Sequence, residues 1–165
     1  MWKNKGWLLR RVVSVLLGVL LLAADQFSKQ WVMARLRTEG AFLVLPGPID
    51  LTLVFNHSNA FGLVPVSGEM TRWSLAAVNL VVALVLGGVV LWRPPSLPVS
   101  AGLACVAAGA AGNAIDRIRD GSVIDFLDAG KLGFVWVFNI ADVSVDLGVG
   151  MILADSFLRR RARAT

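Results

Sequence analysis

WSLAAVNLVVALVLGGVVLW, residues Trp73 to Trp92, is a run of twenty residues without a charge and with a tryptophan at each end. Twenty helical residues cover about 30 Å, the thickness of a bilayer's hydrocarbon, and tryptophan favours the two headgroup boundaries. The run reads as a transmembrane helix. Arg93-Pro94-Pro95 follows it; proline lacks the N–H that would continue the helix, so a tight turn is expected there. Three further apolar segments flank this one. The first covers about residues 7–24, and its uncharged part, Val12 to Ala24, is short, so Arg10 and Arg11 must snorkel at the boundary. The next covers about 97–115 and is rich in alanine and glycine, which lets helices approach closely. The last covers about 140–158 and carries Asp142, Asp146 and Asp155.

Composition agrees with a bilayer as the natural solvent. The 165 residues are 56% hydrophobic and 16% charged, well short of the roughly 25% charge of a soluble domain. That length suits one domain, residues 1–165. The net charge of +5 could suggest nucleic acid, but the cations are placed otherwise. Lys3, Lys5, Arg10 and Arg11 precede the first apolar block, and Arg159, Arg160, Arg161 and Arg163 follow the last. Such clusters set topology and touch anionic headgroups, and no nucleic-acid partner is expected. One cysteine, Cys105, permits no intrachain disulfide, and a single histidine, His57, excludes a zinc protease of the H-E-x-x-H type. Neither a metal nor a cofactor is expected.

A cleaved signal peptide would also begin with a basic stretch and a short apolar core. Leu22, however, stands where a cleavage site needs a small residue, so an uncleaved first helix is expected. Four spans put both termini on one side. The termini and Arg93 hold nine Lys and Arg, packed against helix ends, against seven on the other side, so the termini are read as cytoplasmic. Residues of about 25–72 and 116–139 then face outward. Four short stretches there, Phe42 to Leu45, Asp50 to Phe55, Ser122 to Leu127 and Phe134 to Phe138, carry strand-like patterning and could form a small sheet on the membrane surface.

Several polar residues lie at the outer boundary of the spans. Asp25 is read as closing the first helix; if the helix continues, Lys29 shares its face and can pair with it. Asn113 and Arg117 are four apart and point the same way. Asn139 and Asp142 suit a helix start as N-cap and first-turn acid. Asp125, in Val123-Ile124-Asp125-Phe126-Leu127, has no such ordinary use. An acid among apolar neighbours has a raised pKa, which marks it for function. Two carboxylates meeting here could not both ionise cheaply; one would take a proton from water while the other donated to a carbonyl. A membrane aspartyl hydrolase is the reading this favours over a serine triad built on His57 or a serine–lysine dyad. Asp146 lies about 6 Å deeper than Asp142, where an ionised carboxylate facing lipid costs about 2.5–3.5 kcal/mol. It is expected to be protonated or to face a hydrated pocket, and no catalytic role is assigned to it. Acids near helices also mark proton paths, which keeps a proton-coupled transporter as an alternative, with a non-catalytic assembly subunit as another.

These residues fall into blocks that resemble those of the lipoprotein signal peptidases (signal peptidase II). Asp25-Gln26-Phe27-Ser28-Lys29 resembles their D-Q-x-S-K block, and Gly112-Asn113-Ala114-Ile115-Asp116-Arg117 with Gly121, Val123, Asp125 and Phe126 their G-N-x-x-D-R…G-x-V-x-D-F block. Phe138-Asn139-Ile140-Ala141-Asp142 is similar to F-N-x-A-D. The resemblance implies a catalytic pair, Asp125 and Asp142, with support from Asp25, Lys29, Asn56, Asn113, Arg117 and Asn139. It implies a mainly α membrane fold of four transmembrane helices, with a small extracytoplasmic β-cradle and a short periplasmic helix or lid. It further implies diacylglyceryl-modified prolipoproteins as substrates, cut on the amino side of the lipidated cysteine, globomycin-type inhibitors, and an active site at the outer leaflet of the bacterial inner membrane. Membrane lipid is the surrounding partner, and a monomer is expected. One block departs: the family's N-x-G-A-A-F is here Asn56-His57-Ser58-Asn59-Ala60-Phe61, and Ser58 in place of glycine restricts the backbone of the loop over the site.

Overall fold

The computed structural model describes residues 3–38, 40–57 and 68–164. Its elements, in chain order, are α1 (Lys3–Leu36), β1 (Phe42–Leu43), β2 (Asp50–Asn56), α2 (Glu69–Trp92), α3 (Leu97–Arg119), β3 (Val123–Asp128), a 3-10 turn (Gly130–Leu132), β4 (Val137–Phe138) and α4 (Ile140–Ala164). The lid expected around Ser58, Asn59, Ala60 and Phe61 lies outside the described residues.

α1 differs most from the sequence reading. It does not close at Asp25 but runs on to Leu36, ending where Arg37 turns to a left-handed φ of 65° and donates its N–H to Met33 O at 3.0 Å. A helix of 34 residues is about 51 Å long, well beyond the roughly 30 Å of hydrocarbon. The surplus turns carry Val32, which is buried with Leu51, Leu53, Ile124 and Phe126 in an apolar core beneath the sheet. The end of α1 is thus the platform on which the sheet rests.

α2 is largely exposed along its apolar side chains and ends at Arg93, whose N–H reaches Val89 O just before the two prolines. α3 opens behind Ser96 with a proline in its first turn and packs against all three other helices. Its small residues make that possible. A Cβ on Gly102 would sit 2.7 Å from Gly148 O of α4, so only glycine allows this crossing. α3 extends four residues past its expected end at Ile115, taking Asp116 and Arg117 into its last turn. The exposed end of that turn is capped from α2: Arg72 donates through Nε to Arg117 O at 2.7 Å and through Nη2 to Ile118 O at 2.8 Å.

Among the described residues three helices, at Gly6–Leu36, Glu69–Trp92 and Leu97–Arg119, are long and apolar enough to cross a membrane. α4 has the length, 25 residues, but its aspartates lower its hydropathy.

The four strands form one antiparallel sheet in the order β1-β2-β3-β4. Alternation along β3 turns Ile124 and Phe126 to the core below and leaves Asp125 on the opposite face. Between Leu51 and Val54 the register slips by one residue, so that Leu51 faces Leu127 but Val54 faces Asp125. The bulge sets Asn56 opposite Val123, diagonal to Asp125 and within reach of it.

Candidate active site

The start of α4 is built by a reciprocal cap. Asn139 Oδ1 accepts the N–H of Asp142 at 2.9 Å, and Asp142 Oδ2 accepts the N–H of Asn139 at 3.3 Å. The capping reading of these two residues therefore holds, yet it leaves both side chains with further contacts. Asn139 Nδ2 donates to Asp125 Oδ1 at 2.6 Å. One asparagine thus touches both acidic residues, its oxygen on the backbone of one and its nitrogen on the carboxylate of the other.

Each carboxylate has a second amide. Asn56 Nδ2 donates to Asp125 Oδ2 at 2.9 Å, and Asn113 Nδ2 donates to Asp142 Oδ1 at 3.0 Å. Lys29 Nζ at 3.3 Å and Asn139 Nδ2 at 3.4 Å both donate to Asn113 Oδ1 and so turn its NH2 toward Asp142. Asp125 is almost wholly buried, and that burial pushes its pKa up to about 7. The hydrogen bonds from Asn56 and Asn139 oppose the shift, and the neighbouring charge of Asp142 adds to it.

Both carboxylates open on one cavity of about 620 Å³, within the range of a small-ligand site. Asn56, Asn113 and Arg117 line it beside them, while Leu132, Phe134 and Trp136 form an apolar rim at the sheet. Arg117 donates to Asn113 O at 3.3 Å. The expected pairing of Asn113 and Arg117 on one face of α3 is what the cavity wall requires.

Asp25 and Lys29 lie behind this wall, fully buried. Because α1 continues past Asp25, Lys29 sits one turn on and pairs with it at 2.9 Å; it also meets Asp116 at 2.6 Å. Asp25 Oδ1 accepts the N–H of Ala141 at 2.9 Å, tying α1 to the first turn of α4. A side chain on Gly112 would collide with the Asp25 carboxylate, so that glycine is fixed by the network.

A model of the family described as Signal peptidase (SPase) II matches residues 17–158, most of the chain. The chain belongs to the signal peptidase II family. A lipoprotein signal peptidase of Caulobacter vibrioides is 40% identical over 161 residues, covering 94% of this chain and 89% of the relative. One from Dichelobacter nodosus is 35% identical over 152 residues, covering 92% and 97%. A bacterial membrane enzyme solved by the in meso method superposes with a TM-score of 0.77 at 27% identity, covering 93% of this chain and 92% of that one.

Sequence reasoning gave this peptidase no role for Asp116 or Gln26, although both stand inside the blocks that carry the resemblance. Asp116 accepts from Lys29, from Gln26 Nε2 at 2.9 Å and from the N–H of Ile124 at 3.3 Å. It therefore joins α1, α3 and β3 one residue before Asp125. Nothing local signals this, because its partners come from distant parts of the chain. Asn79 and Asp146 also line the cavity.

Proposed function

We propose that this signal peptidase II removes signal peptides from prolipoproteins whose lipobox cysteine carries diacylglycerol, cutting on its amino side by water activated between Asp125 and Asp142. The observation that carries this reading is the single asparagine, Asn139, bridging the two acidic residues at the wall of one cavity. The ionised carboxylate takes a proton from water, and the oxygen so released bonds to the scissile carbonyl carbon. The protonated carboxyl donates to the carbonyl oxygen, which carries the developing charge. Collapse of the tetrahedral adduct breaks the C–N bond, and a proton passes to the leaving amine of the cysteine. Asn56, Asn113 and Asn139 hold the two carboxylates, and Arg117 presents its guanidinium to the substrate's polar groups.

Membership in a membrane peptidase family and three long apolar helices indicate the inner membrane. On this reading α4 is the fourth span, its Asp142 and Asp146 facing the cavity rather than lipid. Both termini are cytoplasmic, the sheet lies on the outer leaflet as a β-cradle, and residues 1–165 act as a single domain and as a monomer. Globomycin-type compounds compete for the same cavity. The family match gives no support to proton-coupled transport. A lipidated prolipoprotein in detergent micelles is expected to be cleaved at least about a hundredfold more efficiently than its unlipidated form, since binding energy from the lipid is realised at the reacting bond. Equal turnover of the two would remove the substrate assignment.

A further inference from the structure

Two polar side chains in the cavity have no part in the proposed chemistry. Asp146 lies one helical turn beyond Asp142 on the same face of α4, and Asn79 lies in α2 within its uncharged run. Asp146 is exposed and Asn79 half-buried, and among the described residues neither has a hydrogen bond or an ion pair. Polar groups at such depth are tolerated where water or a ligand reaches them. Both stand on the wall of one cavity, from different helices.

We infer that Asn79 and Asp146 are a subsite for the backbone of the signal-peptide stretch on the membrane side of the scissile bond. The inference rests on the peptidase reading. A peptide bond must leave its helix to be cut, and the unwound segment then exposes N–H and C=O groups that hydrocarbon cannot satisfy. Asp146 lies deeper than Asp142, the direction from which the apolar part of a signal peptide arrives. Its carboxylate accepts from backbone N–H, and the Asn79 amide both donates and accepts. The diacylglyceryl esters carry acceptors alone and have nothing to donate to the Asp146 oxygens. Val143 and Val145 beside these residues leave an otherwise apolar wall suited to the substrate's side chains.

The test uses the purified full chain in micelles with a lipidated prolipoprotein. Asn79→Leu and Asp146→Leu are each expected to raise KM about tenfold with kcat within about twofold, because the lost contacts are equal in ground and transition states. Asp146→Asn, which still accepts, should stay within about threefold of wild type. Asn79→Ala and Asp146→Ala, which only remove atoms into open space, are measured alongside so that the result does not depend on the leucine variants folding. Substrates with one backbone amide upstream of the cut replaced by an ester supply the second arm. At one position the ester should raise the wild-type KM about tenfold and leave Asp146→Leu unaffected. Unchanged KM in the alanine and leucine variants of an enzyme that still cleaves overturns the subsite alone, as do ester effects that multiply with the Asp146 substitution at every position. A wild-type enzyme that leaves the lipidated substrate uncut overturns the peptidase reading, and the subsite with it.

Discussion

Asp125→Asn and Asp142→Asn should each lower kcat for a lipidated prolipoprotein by at least about a thousandfold, with KM little changed, as expected for loss of a group that moves the proton in the transition state. An amide keeps the shape of the carboxyl and much of its bonding. At Asp125 it can still accept from Asn139 or Asn56, and at Asp142 from Asn113, so both variants should be extracted and melt like wild type. It cannot take a proton from water. The two carboxylates act as a unit, so the double variant should be no worse than either single one within about tenfold. Folded variants with more than about a tenth of wild-type kcat would remove both residues from the chemistry.

Lys29→Met should be the most damaging single change away from the cavity. Lys29 is fully buried and pairs with two buried aspartates, Asp25 and Asp116. Removing it leaves two carboxylates facing each other without a cation, a loss on the order of 3–5 kcal/mol for a broken buried pair. It also removes one of the two donors, the other being Asn139 Nδ2, that turn Asn113 toward Asp142. The expected result is loss of extractable folded protein. Adding Asp25→Asn and Asp116→Asn should restore much of the yield, because neutral amides need no counter-charge. Recovery of fold without recovery of activity would separate the scaffold from the positioning of Asn113. A single variant as stable as wild type would show that the network contributes nothing.

The sequence made the membrane class legible because an uncharged run of twenty residues has few other uses. Asp125 was legible for a related reason, since a strand that alternates core and cavity leaves an acid among apolar neighbours. The length of α1 was not. Asp25, Gln26, Ser28 and Lys29 look like a helix leaving lipid, whereas all four stay buried or half-buried, Gln26 and Lys29 by bonding to α3 and Asp25 by bonding to α4. Hydropathy records that these side chains are polar and is silent about partners on another helix. The one-residue bulge in β2 was hidden for the same kind of reason: period-two patterning fixes which face a residue takes, not what it pairs with. The family blocks named the residues around the site, but which ones touch the cavity and which stand behind it depends on tertiary packing.

Infrared titration of the carboxyl stretch in detergent-purified enzyme would probe the shared proton itself. Asp125 is held near a pKa of about 7, so wild type should show one protonated carboxyl that fades as pH rises through that value and leaves both acids ionised, together with the falling alkaline limb of the activity profile. Asp125→Asn should abolish the band, and Asp142→Asn, by deleting a neighbouring negative charge, should move its titration to lower pH. A band that persists unchanged in both variants, or two carboxylates already ionised in weak acid, would contradict the account.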